Sequence, residues 1–220
     1  MVKLRLGVLV SGSGTNLQAI LDAVAEGRLD AEVRVVVSNQ PAARALERAK
    51  AAGVATSVVS HREFADRAAF DARLVETLRA AHVTHVVLAG FMRLLTPVLL
   101  DAFPWRIVNI HPALLPAFPG VHGQKQALAY GAKVSGCTVH FVDGGTDTGP
   151  IIAQLAVPVL DGDTEETLGE RILVEEHRLL VAVLAAIAAD QVRVVPGAPG
   201  ERPRVVTDDL SARLSKRDPA

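Results

Sequence analysis

Short runs of β-branched and other apolar residues alternate with helix-like segments along most of this chain. Strands that alternate with helices in this way are typical of βαβ units. The pattern therefore predicts an α/β fold with one open, mostly parallel, twisted sheet and a Rossmann-like N-terminal half. The five predicted strands are Leu4–Val10, Val33–Ser38, Val54–Val59, His85–Ala89 and Ile107–His111, and the helices are Asn16–Ala25, Ala42–Ala52, Phe64–Ala81 and a short one opened by Thr96-Pro97.

The pattern changes after His111, where prolines and glycines crowd the segment up to Gly123 and predict an ordered loop. Two further strands, Thr138–Val142 and Ile151–Val157, flank a turn-rich connection and should form an antiparallel edge. A long helix is predicted from Thr164 to about Ala189, with Asp163 or Thr164 as its cap. From Val192 the chain holds four prolines and alternating charges, which predicts one or two edge strands and then a frayed end.

Composition narrows the class of protein further. With 220 residues, half of them hydrophobic, the chain can bury the core of one domain. The charges are 23 basic against 24 acidic residues, so no net field draws it to nucleic acid or to a membrane surface. Cys137 is the single cysteine, which excludes an intrachain disulfide and fits a reducing cytoplasm. The apolar run at Leu4–Val10 is too short for a signal peptide or a membrane span, so we expect a cytoplasmic protein.

Two polar side chains stand at the end of the fifth predicted strand. The two-residue period of a strand places Asn109 and His111 on one face, and Pro112 then ends the strand. An amide and an imidazole together suit oxyanion stabilisation combined with proton transfer, as in acyl or formyl transfer. Further on, Asp147 lies among turn residues, where it either forms a turn or places a carboxylate near His111 and favours the imidazolium.

A glycine-rich turn from Ser11 to Asn16 follows the first predicted strand and opens a helix. Backbone N–H groups at such a helix start favour an anion. The third glycine of a dinucleotide fingerprint and the lysine of a P-loop are both missing, so a monophosphate fits better than NAD or ATP. The alternative is a tight turn with Thr15 or Asn16 as the helix cap.

The segment from Ala89 to Leu95 follows the fourth predicted strand. Its backbone groups could hold a flat heteroaromatic ring, and the alternative is a strand-to-helix turn with a solvated Arg93. Three histidines, His111, His122 and His140, show no spacing typical of metal ligands, so no metal is expected.

Four segments together resemble the folate-dependent formyltransferases. The resemblance runs from about Leu4 to Ala189, and Asn-x-His-Pro with a downstream aspartate is specific to that superfamily. Less specific segments, among them Pro119–Gly123 and Thr138–Val142, resemble those of the branch of the superfamily that acts on glycinamide ribonucleotide in de novo purine synthesis. The four segments are Ser11–Leu17, Gly90–Arg93, Asn109–Pro116 and Thr146–Pro150.

The resemblance implies a role for each matching residue. Asn109 and His111 would act at the formyl group of 10-formyltetrahydrofolate, and Asp147 would raise the pKa of the histidine. The ribonucleotide would be bound by Gly14, Thr15, Asn16 and Glu176. The folate would be bound by Arg67, Met92, Arg93, Leu94, Leu95, Asn109, Val142 and Asp143.

The resemblance also implies a formyltransferase domain at residues 1–190, followed by an extension at 191–220. Within the domain, a ribonucleotide half at about 1–100 would precede a folate and catalytic half at about 101–190. The expected partners are the two small-molecule substrates, with no nucleic acid, no membrane and no metal. The choice between monomer and homodimer stays open.

Three other functions compete with this one. A methionyl-tRNA formyltransferase shares the catalytic residues but would need a tRNA-binding domain and a basic surface. A formyltetrahydrofolate hydrolase would use water as the acceptor and usually carries an N-terminal regulatory domain. A non-enzymatic nucleotide sensor would bind ligand normally without His111.

Overall fold

The computed structural model describes residues 3–198, 200–210 and 214, and it confirms the α/β prediction. Seven strands form a mostly parallel sheet with an antiparallel edge, in the order β3-β2-β1-β4-β5-β6-β7. The chain divides into two compact units, of which the first ends at Asn109 and the second begins at Ile110. Within the described ranges, no helix is both long enough and apolar enough to cross a membrane.

The first unit contains the parallel strands of the sheet. Each of its neighbouring strands pairs in parallel, and their apolar side chains are buried, with Leu6, Leu9 and Ile107 at most 1% exposed. All five strands were predicted, with ends that shift by up to two residues. Their bounds are β1 Leu4–Val10, β2 Ala31–Ser38, β3 Thr56–Val58, β4 His85–Leu88 and β5 Ile107–His111.

Four α-helices connect these strands, as predicted, but some begin elsewhere. The third was predicted from Phe64 and instead begins at Arg67, because the Asp66 carboxylate accepts a hydrogen bond from the N–H of Ala69 at 2.8 Å and caps it there. A short 3-10 helix, His61–Glu63, precedes this cap. The α-helices are α1 Thr15–Ala25, α2 Arg44–Ala51, α3 Arg67–Ala80 and α4 Pro97–Ala102.

The second unit contains the antiparallel strands β6 (Val134–Phe141) and β7 (Ile151–Pro158). The first of these begins four residues before the predicted Thr138, at Val134. Gly136 explains part of that difference, because its bare backbone lies so close to β7 that a Cβ would stand 2.0 Å from the Leu155 carbonyl oxygen.

Two helices complete this unit. The long helix α6 spans Glu165–Ala188 and is capped by Thr164, one of the two predicted caps. The helix α5, Gly123–Tyr130, was not predicted, because the preceding prolines and glycines hid its start. Beyond α6 the structure contains the two strands predicted from Val192. These strands, β8 (Val192–Val195) and β9 (Arg204–Thr207), pair with each other in a separate antiparallel sheet. Most of the end predicted to be frayed lies outside the described residues.

Candidate active site

In the first unit, three predicted site segments follow neighbouring parallel strands. The glycine-rich turn follows β1, the segment with Met92 follows β4, and Asn109 lies on β5 beside Leu88 of β4. Ligands of open α/β sheets bind outside the carboxyl ends of the strands. The topology therefore puts these segments on the edge of the sheet where a ligand is expected.

The glycine-rich turn is shaped by Gly14. This residue is the N-cap of α1 with φ +73°, and a Cβ on it would lie 2.6 Å from the Cβ of Ala45. The alternative in which Thr15 or Asn16 caps the helix is therefore wrong. Two contacts from α2 hold the turn: the N–H of Ala45 donates to the Gly12 carbonyl at 3.1 Å, and Arg48 Nε donates to the Ser13 carbonyl at 2.9 Å. The glycine cap makes no side-chain hydrogen bond to the first turn of α1, and the partial positive charge at the start of a helix favours an anion.

The segment after β4 has an irregular backbone and exposed apolar side chains. Met92 and Leu94 are 66% and 55% exposed, while Arg93 and Leu95 are half-buried. The Met92 N–H donates to the Ser11 hydroxyl at 3.0 Å, which joins this segment to the glycine-rich turn. Arg67 lies at the first position of α3.

In the second unit, the structure brings His111 and Asp147 together. His111 Nδ1 lies 3.3 Å from Asp147 Oδ2, and the two side chains are only 4% and 14% exposed. Asp147 adopts a left-handed conformation, with φ +53°, and Oδ2 also accepts a hydrogen bond from the N–H of Gly120 at 2.7 Å. On the other side of the imidazole, His111 Nε2 donates to the Phe118 carbonyl at 2.9 Å.

His140 also lies next to Asp147. From the sequence we considered it as a possible metal ligand and gave it no catalytic role. It is 2% exposed, its Nε2 lies 3.7 Å from Asp147 Oδ1, and its Nδ1 donates to the Phe141 carbonyl at 2.8 Å. Like His111, it stands near the end of an apolar strand that a turn follows, and that position was the available signal. We call His111, Asp147 and His140 the His–Asp–His cluster.

The hydrogen bonds of the cluster restrict its protons. A carbonyl oxygen only accepts, so the nitrogens facing Phe118 and Phe141 both carry hydrogen. The remaining ring nitrogens, His111 Nδ1 and His140 Nε2, both face the carboxylate. Each contact between a ring nitrogen and the carboxylate becomes a hydrogen bond when one more proton is present, either on that ring nitrogen or on Asp147.

Burial opposes a charge on His111. It lowers the pKa of His111, while Asp147 and the Phe118 carbonyl act in the opposite direction and only partly offset it. Asp147 therefore acts on the pKa of this histidine in the expected direction, but burial outweighs its effect. For Asp147, burial alone would raise the pKa, but the interactions with His140, Gly120 and His111 together lower it.

The remaining predicted residues of this unit lie near the turn and on α6. Asp143 Oδ1 accepts from Thr148 Oγ1 at 2.6 Å and from the N–H of Gly145 at 3.1 Å, as expected for a turn-forming aspartate. Val142, beside it, is half-buried. Glu176 is 7% exposed and so is not a solvated helix charge.

In the described part of the chain, no group of three or more His, Cys, Asp or Glu residues is arranged so that it could hold a metal ion. The absence of a metal from the reaction stays a prediction.

Residues 4–184 match the family model described as formyl transferase. The chain belongs to this family. It is similar over most of its length to phosphoribosylglycinamide formyltransferase of Mycobacterium tuberculosis, with 53% identity over 191 residues, which are 87% of this chain and 88% of that protein.

Two other relatives place the match in context. The crystal structure of glycinamide ribonucleotide transformylase 1 from Symbiobacterium toebii has a TM-score of 0.89 and 52% identity, covering 93% of this chain and 94% of that one. The trifunctional purine biosynthetic protein adenosine-3 of Drosophila melanogaster is 47% identical over 194 residues, or 87% of this chain. The chain spans only 14% of that longer protein.

Proposed function

We propose that this chain transfers a formyl group from 10-formyltetrahydrofolate to the amine of N1-(5-phosphoribosyl)glycinamide, in de novo synthesis of IMP. The products are the N-formyl ribonucleotide and tetrahydrofolate. One observation carries the proposal: in a member of the formyl transferase family, His111 follows Asn109 on β5 and lies 3.3 Å from Asp147. The relatives that match the chain over most of their own length support the choice of substrate.

The chemistry follows from the side chains. The substrate amine attacks the formyl carbon, a new C–N bond forms, and the carbonyl oxygen becomes an oxyanion that the Asn109 amide and the His111 imidazole stabilise. The bond from the formyl carbon to N10 of the folate then breaks. The proton lost by the amine reaches N10 through water, His111 and Asp147. No covalent intermediate on the protein is required.

The His–Asp–His cluster suits such a proton transfer because its carboxylate and its burial have opposite effects on the stability of an additional proton. The carboxylate between two rings favours an additional proton, while burial disfavours the imidazolium. A proton held under these conditions leaves and returns at moderate cost. The His111 Nε2–H group, which the Phe118 carbonyl accepts in this structure, becomes the donor to the formyl oxygen when substrates bind.

Each substrate has its own set of binding residues in this proposal. The N-terminal end of α1, with Gly14, Thr15 and Asn16, binds the phosphate of the ribonucleotide, and Glu176 also holds that substrate. The folate co-substrate lies along Met92–Leu95, with further contacts from Arg67, Asn109, Val142 and Asp143. Amide and imidazole donors supply the electrophilic assistance, so the reaction needs no metal ion.

The proposal extends to the setting of the enzyme. Its partners are the two small molecules, and it works in the cytoplasm, where a single buried cysteine is kept reduced. The formyltransferase domain occupies residues 1–190, and residues 191–220 form an extension.

The test is a formyl-transfer assay with 10-formyltetrahydrofolate and three acceptors: glycinamide ribonucleotide, initiator tRNA and water alone. We expect rapid transfer to the ribonucleotide only. Faster transfer to tRNA, or equally rapid hydrolysis without the ribonucleotide, would replace the proposal with one of the competing activities. A chain that binds nucleotide without consuming the formyl donor would be a sensor.

A further inference from the structure

The segment Met92–Leu95, here called the folate segment, has neither helical nor strand structure. Two of its four side chains, those of Met92 and Leu94, are mostly exposed and so contribute little packing. The conformation of an irregular segment of this kind depends on hydrogen bonds that hold its backbone. Side chains from elsewhere in the first unit make such bonds at both of its ends.

Ser11 holds the beginning of the segment. Its hydroxyl accepts the Met92 N–H at 3.0 Å and donates to Asn39 Oδ1 at 2.7 Å. Asn39 is 4% exposed at the end of β2, so the serine rests on a fixed support. Because the hydroxyl donates to one partner and accepts from the other, each bond leaves the other intact.

Asp71 holds the other end. Its carboxylate oxygen Oδ2 accepts hydrogen bonds from the N–H of Thr96 at 2.6 Å and from the Thr96 hydroxyl at 2.7 Å. Thr96 directly follows Leu95 and is the N-cap of α4, while Asp71 is a fully buried residue of α3. The two bonds connect the residue that follows the folate segment to the helix α3.

Stability alone does not explain a carboxylate at position 71. The second oxygen of Asp71, Oδ1, is buried and has no hydrogen-bond partner in the described part of the chain. A buried polar atom left in this state destabilises the fold, and an apolar residue of similar size would usually be better tolerated. The bonds of its other oxygen to Thr96 offset part of the energetic disadvantage of Asp71, and the charges of Arg67 and Arg93 offset a further part.

We propose that Ser11 and Asp71 are positioning residues that hold the two ends of the folate segment and thereby set the affinity for the formyl donor without contacting it. The inference rests on the proposed function, since it takes Met92–Leu95 as the folate-binding backbone. It assigns to both residues an effect on the donor and not on the ribonucleotide.

The test compares three variants: Ser11→Ala, Asp71→Leu and Thr96→Val. Each removes at least one of the holding bonds, and Thr96→Val keeps the side-chain shape and leaves α4 uncapped as before, since the Thr96 hydroxyl makes no capping bond. We expect each variant to raise the KM for 10-formyltetrahydrofolate and the Kd for tetrahydrofolate about fivefold, the effect of one lost hydrogen bond. The KM for the ribonucleotide should stay within about twofold. Asp71→Asn should restore the donor KM, because its amide oxygen accepts both bonds from Thr96.

Two matched controls separate positioning from loss of structure. Thr84→Val removes two hydrogen bonds between the Thr84 hydroxyl and the backbone of Arg5, and Ser38→Ala removes a buried serine hydroxyl that bonds Gln40 at the end of β2. Both should lower the unfolding temperature without changing the donor KM. If they raise it as much as the test variants do, the role of Ser11 and Asp71 is only structural and the inference is overturned.

The failures of the two proposals differ. A wild-type chain that neither binds tetrahydrofolate nor transfers a formyl group overturns the proposed function and removes the basis of this inference. A wild type that does both, together with variants whose donor KM is unchanged or whose two KM values rise equally, overturns the inference alone.

Discussion

His111 and Asp147 face each other over 3.3 Å, from ring Nδ1 to carboxylate Oδ2, and both are largely withdrawn from solvent. The two residues are far apart in the chain. Asp147 reaches His111 from the turn before β7, where its backbone is left-handed, and the N–H of Gly120 holds its carboxylate by a hydrogen bond. The pair is therefore positioned by backbone as much as by mutual attraction.

Removing either member of this pair should stop the chemistry while leaving the fold intact. We expect His111→Ala and Asp147→Asn each to lower kcat by at least ~100-fold, the usual contribution of a positioned acid or base. The measurement is steady-state formyl transfer to glycinamide ribonucleotide, with the unfolding temperature recorded in parallel. Near-normal turnover in either variant would contradict the assigned roles.

His140 should influence the reaction through the ionisation of Asp147. Its interaction lowers the pKa of Asp147, so its removal should raise that pKa and move the acidic limb of the pH profile of kcat/KM to higher pH. His140→Asn keeps a donor for the Phe141 carbonyl but loses the nitrogen that faces Asp147, whereas His140→Gln keeps a polar group near that second position. The shift should be larger for Asn than for Gln, and unmoved profiles in both would show that His140 only fills space.

Gly14→Ala should destabilise the protein by about 2 kcal/mol or more, since alanine is strained in a left-handed conformation and overpacking adds to the cost. The added methyl group would lie 2.6 Å from the Cβ of Ala45. Gly12→Ala is the matched control in the same turn, because a Cβ there has no atom within 4 Å. Chemical unfolding of the two variants measures the difference, and equal stabilities would mean that α2 gives way without cost.

Stability should fall between pH 6.5 and pH 4 because of His85. Burial, with a smaller effect from Arg106, lowers the pKa of His85 from 6.5 to about 4. In that window the unfolded chain binds a proton that the folded chain refuses, so stability increases with pH and decreases on acidification. At pH 4 and below the loss approaches roughly 3 kcal/mol, from about 1.4 kcal/mol per pH unit.

The measurement for His85 is urea unfolding at several pH values. His85→Gln should flatten the dependence between pH 6.5 and pH 4 while leaving the other acidic groups to act as before. If the variant loses stability as steeply as the wild type, His85 does not carry the effect.

Much of the fold could be predicted because its signals are local. The five parallel strands, the proline that opens α4 and the threonine that caps α6 each depend on a few neighbouring residues. The failures share a different cause. The helix α5 begins at a glycine after a proline-rich loop, and β6 begins early because Gly136 admits the backbone of β7, which is a contact between separate elements.

The candidate site divides in the same way. By itself the sequence determined that Asn109 and His111 share one face at the end of a strand, because a two-residue spacing on a strand has only one outcome. Only the tertiary structure decided that His140 joins Asp147, that Ser11 and Asp71 hold the folate segment, and that burial lowers the pKa of His111. These properties depend on packing between distant segments and on the water that this packing removes, and no local pattern of residues encodes either.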